Sequence, residues 1–362
     1  MIKKIHFINR IDLENVGDST CCSLNYYFKY FQQYNLIRHD IDYIDWNEIN
    51  LQDIVIIGGG GMLNVTQSFN SAVNKLLNKC DCVIAWSVGF NTHDKQWFQG
   101  DEFEEIELDK FELIGIRDYN HPTGMEWVPC PSALSYELDT TGGATRKFGI
   151  IEHKSVKING LPYDKITNSS SLQEVADFIS TTETILTNSY HMTYWAQLMG
   201  KKVIVLNKFS TKFDYFKYPP VFIPSENNIF TEEEIETANA NTRKYDNILA
   251  EARSINNNFF NKVKNIIESK NFVKDSSYQE LYQLTDAKSW NKSNLLNKIS
   301  DTENLFQMLH DELHKRIDEE IAQVHARITE REREHQKEHE KEHSNMLPTK
   351  IYKKLSNLFK RD

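Results

Sequence analysis

The sequence lacks the long hydrophobic runs and the paired cysteines that mark membrane-spanning and secreted proteins. No stretch approaches the roughly 18 consecutive apolar residues of a membrane-spanning helix. The first eight residues have neither the apolar segment nor the small-residue cleavage site of a signal peptide. The five cysteines are an odd number, and neither Cys21-Cys22 nor Cys80-Asp81-Cys82 has a zinc-binding or redox spacing. We therefore expect reduced, buried thiols and a cytoplasmic protein.

A net positive charge is also missing. The formal charge is -10 over 362 residues, which argues against a nucleic-acid partner, because neutralising phosphates requires a basic face. The composition, 40% hydrophobic and 26% charged, is that of a soluble globular protein, and the length suits two α/β domains plus an extension. Residues 346–362 differ from the rest, with one acid and five basic residues: Lys350, Lys353, Lys354, Lys360 and Arg361.

Short apolar runs alternate with helical patterns in the first half of the chain, which is typical of βαβ units and a parallel sheet. The patterns predict strands at 4–9, 53–57, 82–87 and 111–116, with helices at 19–34 and 71–78. A second set follows Gly142-Gly143, with strands at 148–151, 184–187 and 202–206 and helices at 171–180 and 190–199. Ser171 with Glu174 three residues on is a capping-box pattern. We predict α/β domains at 1–138 and 147–230, with the ligand site between them.

The remainder of the chain is predicted to be helical. Residues 231–294 form a helical region and 295–345 one long helix. Apolar residues recur there every eleven positions, as at Phe306, Ile317 and Ile328, which favours a coiled coil joining copies of the chain through 302–330. The alternative is a helix folded back on its own domains. His339 to His343 spells HExxH, but its charged flanks indicate a solvated helix rather than a zinc site.

The tail at 348–362 follows Pro348 and is amphipathic. Apolar residues share one helical face with lysines around it over 350–361, a pattern typical of a helix that binds anionic lipid. The alternative is a basic, frayed terminus. Membrane binding would place the protein at the inner face of the plasma membrane.

Two glycine-containing motifs follow strands of the first set. Asn15-Val16-Gly17-Asp18-Ser19 precedes a helix, where backbone N–H groups and the helix dipole favour an anion. Asp18 could instead only cap that helix. The run 58–61, with Gly59 and Gly60 at its centre, permits close approach of a ligand or of another chain segment, or simply a tight turn.

Three further strand ends carry polar side chains. Ser87 lies two residues before Gly89, and Arg117 offers a guanidinium that binds carboxylate or phosphate with two hydrogen bonds, unless it pairs with Asp118 at the surface. Ser189-Tyr190-His191 opens a helix, and histidine can transfer protons near neutral pH. A single histidine is more often structural, so this motif indicates a catalytic site only in combination with the other strand-end motifs.

Taken in this order, the motifs resemble those of the polysaccharide pyruvyl transferase family over about residues 1–215. The resemblance rests on Asn15/Gly17/Asp18, 58–61, Ser87/Gly89, Arg117/Asp118, 129–132 and 189–191. It implies two Rossmann-like domains in a glycosyltransferase-B-like fold. It also implies transfer of a pyruvyl group from phosphoenolpyruvate to two hydroxyls of a sugar as a ketal, with no metal and no cofactor beyond the donor.

The resemblance also implies residue roles. His191 would be the general acid. In the reaction that we expect, Asp18 would be the base, and the substrates would contact Asn15, Gly17, Gly59, Gly60, Ser87, Arg117, Ser189 and Lys208. Many family members carry arginine two residues before the histidine, where this chain has Ser189, and the second domain is short. A cation must therefore come from elsewhere, and Lys208 is the first candidate, with Lys212 and Arg10 behind it.

Two other functions remain open. The same scaffold could serve a glycosyltransferase with a nucleotide-sugar donor, or a non-catalytic scaffold at the membrane built on a degenerate transferase domain. The expected acceptor is a glycan of bacterial surface-polysaccharide synthesis, either lipid-linked or soluble.

Overall fold

The computed structural model describes residues 3–92, 104–274 and eight residues between 330 and 355. The chain divides into two compact units, Met1–Ser289 and Trp290–Asp362. The eight described residues of the second unit are helical and exposed: Glu330, Arg331, Arg333, Lys337, Ile351, Lys353, Lys354 and Leu355. The HExxH motif lies outside the described residues, as does nearly all of the predicted coiled coil. The coiled coil and the membrane-binding tail stay predictions.

The first sheet is formed by the amino-terminal third of the chain. Its strands are β1 (Ile5–Asn9), β2 (Leu36–Asp40), β3 (Ile54–Gly58), β4 (Gly61–Leu63), β5 (Cys82–Phe90), β6 (Leu113–Ile116) and β7 (Glu126–Trp127). Helices α1 (Val16–Thr20), α2 (Leu24–Phe31) and α3 (Gln67–Lys79) connect them. The strand order is β2-β1-β3-β5-β6-β7, with β4 beside β5, and the described ladders are parallel. All residues of the central strands β1, β3 and β5 are buried, which explains their continuous apolar runs.

The second sheet repeats this arrangement. Its strands are β8 (Arg146–Glu152), β9 (Lys165–Thr167), β10 (Thr182–Thr187), β11 (Lys202–Leu206) and β12 (Val221–Ile223), in the order β12-β11-β10-β8-β9. Helices α4 (Leu172–Ser180), α5 (Tyr190–Leu198) and α6 (Glu232–Asn241) accompany it. All nine residues of α5 are buried, so this helix runs through the interior rather than along a surface.

The direction of strand addition reverses once in each sheet. In the first sheet β2 and β3 flank β1, and in the second β9 and β10 flank β8. The carboxyl ends of strands at such a reversal leave a crevice in which α/β proteins bind ligands. The segment after β1 contains Asn15, Gly17 and Asp18, and the segment after β10 contains His191, so both motifs belong to these reversal points.

Helix α7 (Ile248–Ser269) joins the two halves of the first unit. Its Phe259 and Val263 pack in the core of the first sheet, whereas Ala252 packs in the core beside α5. Between them the buried Asn256 accepts a hydrogen bond from Trp86 Nε1 (3.1 Å) and donates one to the Pro129 carbonyl (2.9 Å). The helical segment predicted after 231 therefore packs against both sheets.

The α/β class is confirmed, as is the capping box of Ser171 and Glu174. The single helix predicted at 19–34 is wrong: α1 ends at Thr20, whose hydroxyl competes for the Val16 carbonyl (2.6 Å), and α2 begins at Leu24. Strands β2, β4, β7, β9 and β12 were not predicted, because β2 carries polar residues and the others have only two or three residues each. Among the described residues, no helix combines the length and the apolar character needed to cross a bilayer.

Candidate active site

Asn15, not Asp18, caps the helix that follows β1. The Asn15 Oδ1 atom accepts a hydrogen bond from the Gly17 N–H (3.2 Å), and its Nδ2 donates to Asp18 Oδ2 (2.9 Å). Asn168, which follows β9 of the second sheet, donates to the same Asn15 oxygen (3.0 Å). The alternative role of Asp18 as the helix cap is therefore wrong. Asn15, which does cap the helix, holds the Asp18 carboxylate in place.

Gly17 is where this turn meets the second sheet. A Cβ atom added to Gly17 would lie 2.2 Å from His191 Nδ1, so only glycine allows the turn to approach the imidazole this closely. The contact brings the motif after β1 and the motif after β10 together. Asp18, the next residue, lies in the same turn, and burial raises the pKa of its carboxyl group, partly offset by the positive charges of Arg10, Lys212 and Arg117.

We expect Gly17→Ala to lower turnover by about 100-fold, because a misplaced reacting group can cause a loss of that size. The new methyl group must push either α1 or the imidazole out of place. Gly143→Ala is the matched control, because a Cβ there would meet no atom within 4 Å. Steady-state kinetics together with thermal unfolding would check the effect. Equal activity of the two variants would show that the Gly17–His191 contact is not needed.

His191 is a buried, uncharged side chain in the free protein. It is 5% exposed, and its Nε2 lies 3.7 Å from the Cys130 Sγ atom. Burial, and then the positive charges of Arg117 and Lys212, lower the pKa of the imidazole well below its usual value. An anionic ligand that neutralises those two cations would favour the protonated imidazole.

Arg117 is a buried cation. Within residues 3–92 and 104–274 no acidic side chain pairs with its guanidinium, and its Nε has no hydrogen-bond acceptor. The guanidinium lies 3.9 Å over the Tyr190 ring, a cation–π contact. The surface pairing of Arg117 with Asp118 is therefore wrong: both are buried, and burial raises the pKa of Asp118 to about 6.

Two glycines make room for this guanidinium. A Cβ at Gly89 would lie 2.2 Å from Arg117 Nε, and one at Gly61 would lie 2.7 Å from Arg117 Nη2. Leaving a buried charge unpaired is destabilising, so such an arrangement persists where a ligand supplies the counter-charge. Arg117 is thus the best candidate for holding an anion.

Of the candidate lysines, Lys212 rather than Lys208 faces this group of cations. Lys208 forms an ion pair with Asp214, and this carboxylate neutralises the charge of the lysine. Lys212 has no ion-pair partner in the described part of the chain, and its ammonium lies 4.5 Å from the centre of the Phe209 ring. Burial and the charge of Arg117 lower the pKa of Lys212 to about 7.

The structure shows the local surroundings of four residues predicted to contact the substrates: Gly59, Gly60, Ser87 and Ser189. A Cβ at Gly59 would lie 1.9 Å from the Cys21 carbonyl oxygen and Gly60 has φ +88°, so this run packs against the end of α1. Ser87 is buried with φ 59°, and its hydroxyl has no hydrogen-bond partner among the described residues. Ser189 precedes α5 without capping it, and its N–H donates to Thr187 Oγ1 (3.0 Å).

Sequence reasoning missed His153 and Cys130. His153 directly follows β8 at the reversal point of the second sheet, and the strand-end rule could have found it. Burial, assisted by the charges of Lys212 and Lys154, lowers the pKa of its imidazole to about 4. Cys130 lies within the proline-containing motif at 129–132, but nothing in the sequence pointed to its contact with His191. In the same described ranges, no group of three or more His, Cys, Asp or Glu could hold a metal ion.

This site can be compared with known proteins. The family model for polysaccharide pyruvyl transferases matches residues 3–207, more than half of the 362 residues. The chain belongs to the polysaccharide pyruvyl transferase family. The site residues named above lie inside the matched segment, apart from Lys208, Lys212 and their neighbours Phe209 and Asp214. The site of this family member therefore combines a buried imidazole, a carboxyl group and unpaired cations.

A functionally uncharacterized protein from Klebsiella pneumoniae subsp. pneumoniae NTUH-K2044, known from its crystal structure, is similar at 17% identity with a TM-score of 0.39. The match covers 62% of this chain and 93% of that chain. No curated protein matches this chain.

Proposed function

We propose that this family member transfers the pyruvyl group of phosphoenolpyruvate to two hydroxyls of a sugar, forming a ketal. The observation that carries the proposal is the buried Arg117 guanidinium, which has no carboxylate partner in the described chain and acts electrostatically on His191. A donor with both a phosphate and a carboxylate would supply the missing negative charge. Two Rossmann-like domains arranged as in glycosyltransferase-B enzymes, facing each other at their reversal points, would form the cleft.

The first step of the proposed reaction is protonation of the donor. His191 gives a proton to the methylene carbon of phosphoenolpyruvate, which becomes a methyl group, and positive charge develops on the neighbouring carbon. A sugar hydroxyl attacks that carbon while the Asp18 carboxylate accepts the hydroxyl proton. The raised pKa of Asp18 makes it a stronger base than an exposed aspartate.

The second step closes the ketal. The carbon–oxygen bond to phosphate breaks, phosphate leaves with the bond electrons, and the second hydroxyl attacks the same carbon. The proton that Asp18 took from the first hydroxyl leaves on the phosphate, and the proton of the second hydroxyl replaces the one that His191 gave up. Arg117 and Lys212 would stabilise the charge on the departing phosphate, a role for which fixed cations in an enclosed site are effective.

His191 can act as an acid only when the donor is bound. In the free protein burial, and then the nearby cations, lower the pKa of the imidazole well below its usual value, so the ring is neutral at pH 7. The carboxylate and phosphate of the donor would neutralise Arg117 and Lys212 and raise that pKa. Binding would thereby create the acid that the first step needs, and would limit protonation to a loaded site.

We expect the affinity for the donor to depend on pH because of Lys212. Its pKa of about 7 means that the lysine is half charged at pH 7 in the free protein. An anionic donor binds the charged form, so affinity should fall above pH 7 by up to about tenfold per pH unit until the pKa of the complex is reached. Lys212→Arg should abolish this fall, because arginine stays protonated.

Calorimetric titration with phosphoenolpyruvate between pH 6 and 9 would measure the effect. Lys208→Arg is the matched control, since Lys208 is already paired with Asp214, and it should keep the wild-type profile. The lysine assignment would be wrong if Lys208→Arg, rather than Lys212→Arg, flattened the curve.

The decisive experiment on function compares donors. Purified protein is incubated with a sugar acceptor and either phosphoenolpyruvate or a set of nucleotide sugars, while released phosphate and nucleoside diphosphate are followed. We expect phosphate from phosphoenolpyruvate and a product that carries a ketal. Release of nucleoside diphosphate would favour a glycosyltransferase, and binding of neither donor would favour a non-catalytic scaffold.

The acceptor, assembly and location are also proposals. A lipid-linked or soluble glycan would enter the same cleft, the segment 302–330 would join copies of the chain, and the segment 350–361 would bind anionic lipid. Ile351 and Leu355 support the last point, because they are 55% and 48% exposed on a helical segment that also carries Lys353 and Lys354.

A further inference from the structure

A line of buried hydrogen bonds runs from α5 through the loop after β7 and back to His191. Trp195 Nε1 lies 2.9 Å from Ser132 Oγ, Ser132 Oγ lies 3.2 Å from Cys130 Sγ, and Cys130 Sγ lies 3.7 Å from His191 Nε2. All four side chains are at most 5% exposed. The line therefore lies within the protein rather than in the cleft.

Trp195 determines which atom donates and which accepts in each of these hydrogen bonds. An indole nitrogen can only donate, so Ser132 accepts from Trp195 and its own hydroxyl proton is directed to Cys130. The sulfur then accepts from Ser132, and its S–H proton finds an acceptor in His191 Nε2. With the opposite assignment, an N–H from His191 would point at the sulfur and the buried S–H would be left without this acceptor.

We infer that Cys130 is a positioning residue that holds the neutral His191 ring with its proton on Nδ1. This nitrogen faces the Gly17 turn, because it is the His191 atom that a Cβ at Gly17 would approach most closely. Nδ1 thus lies on the side of the ring next to the Asn15–Asp18 turn, and Nε2 lies on the side of Cys130. The catalytic consequence rests on the function proposed above, whereas the proton position does not.

A thiol suits this place because sulfur can both donate and accept weak hydrogen bonds. When donor binding protonates the imidazole, Nε2 gains a proton, and Cys130 can turn its S–H away and accept instead. The ring keeps its orientation in both protonation states. An alanine would support neither state, whereas a serine keeps both capacities on a shorter side chain.

The position of the proton can be read by NMR without any reaction. In protein labelled with ¹⁵N-histidine, at a pH where the ring is neutral, long-range ¹H–¹⁵N spectra distinguish the two tautomers. The His191 signals are assigned as those missing from His191→Gln. We expect the Nδ1–H form in the wild type and a mixture of both forms in Cys130→Ala. A wild-type ring protonated on Nε2 would overturn the inference.

Cys82→Ala is the matched control, because Cys82 is an equally buried cysteine in the first sheet, outside this line. It should leave the His191 spectrum unchanged. An identical tautomer shift in Cys82→Ala would mean that the Cys130 effect reflects general loosening, and would overturn the inference.

Kinetics test the positioning role. Cys130→Ala should lower kcat by about tenfold, leave KM for phosphoenolpyruvate unchanged, and alter the acidic limb of the kcat pH profile. Cys130→Ser should restore most of the loss. An unchanged kcat and profile in Cys130→Ala would refute the role. If the wild type failed to use phosphoenolpyruvate, the proposed function would fall, while the NMR result would still decide the tautomer.

Discussion

His191→Gln is expected to lower kcat for pyruvyl transfer by about 1,000-fold, within the usual range for a lost general acid. Glutamine has a similar size and keeps a polar end, but it cannot deliver a proton to carbon. KM for the donor should change little, because Arg117 and Lys212 remain. Rapid-quench measurement of phosphate release, with calorimetric titration of phosphoenolpyruvate, would separate chemistry from binding.

The variant itself provides the control for folding. His191→Gln should bind phosphoenolpyruvate with an affinity within about threefold of the wild type, while the proton uptake that accompanies binding decreases. Proton uptake can be obtained by titration in buffers of different ionisation enthalpy. Full turnover in His191→Gln would remove the imidazole from the mechanism, and undiminished proton uptake would assign the titrating group elsewhere.

Arg117→Met is expected to change function and stability in opposite directions. Methionine fills much of the same space without the charge, so donor binding should weaken by at least about 100-fold, the scale of a charge-assisted pair of hydrogen bonds. The free energy of unfolding of the free protein should rise by about 1–3 kcal/mol, because an unpaired buried charge is removed. Urea unfolding and titration with phosphoenolpyruvate would measure the two effects.

Arg253→Met provides the opposite pattern. Arg253 forms two hydrogen bonds with the Asp139 carboxylate (2.7 and 3.0 Å), and others with the carbonyls of Ala133 and Ser135, so its charge serves the fold. This variant should lose stability and keep donor affinity. If Arg117→Met were destabilised as strongly as Arg253→Met, Arg117 would be a structural residue and the anion site would be lost from the proposal.

Much of the fold could be predicted because its central strands are buried on both faces. Strands β3 and β11 appear in the sequence as short apolar runs between turn residues, and their predicted positions agree with the structure to within a residue. Short edge strands such as β9 and β12 carry too few apolar residues to stand out. The break between α1 and α2 was missed because it depends on hydroxyl groups that bond to the backbone of the helix.

The candidate site was predictable only in part. His191, Arg117 and Gly17 stand at strand ends, and their order along the chain was enough to identify the family. The choice between Lys208 and Lys212 was not predictable, because the ion pair of Lys208 with Asp214 depends on the fold of a loop. The two residues have the same chemistry and nearly the same position in the sequence.

The α/β class, the family and most of the residues that carry the proposed chemistry can be predicted from the amino-acid sequence, because strand ends and glycine turns are local features with recognisable residue patterns. It takes the folded chain to show that Arg117 is buried with no carboxylate partner among the described residues, that Gly17 lies against His191, and that Cys130 lies behind the ring. Those facts depend on contacts between residues far apart in the chain. The charge state of a side chain follows from its burial and its neighbours in space, and a single sequence does not specify either.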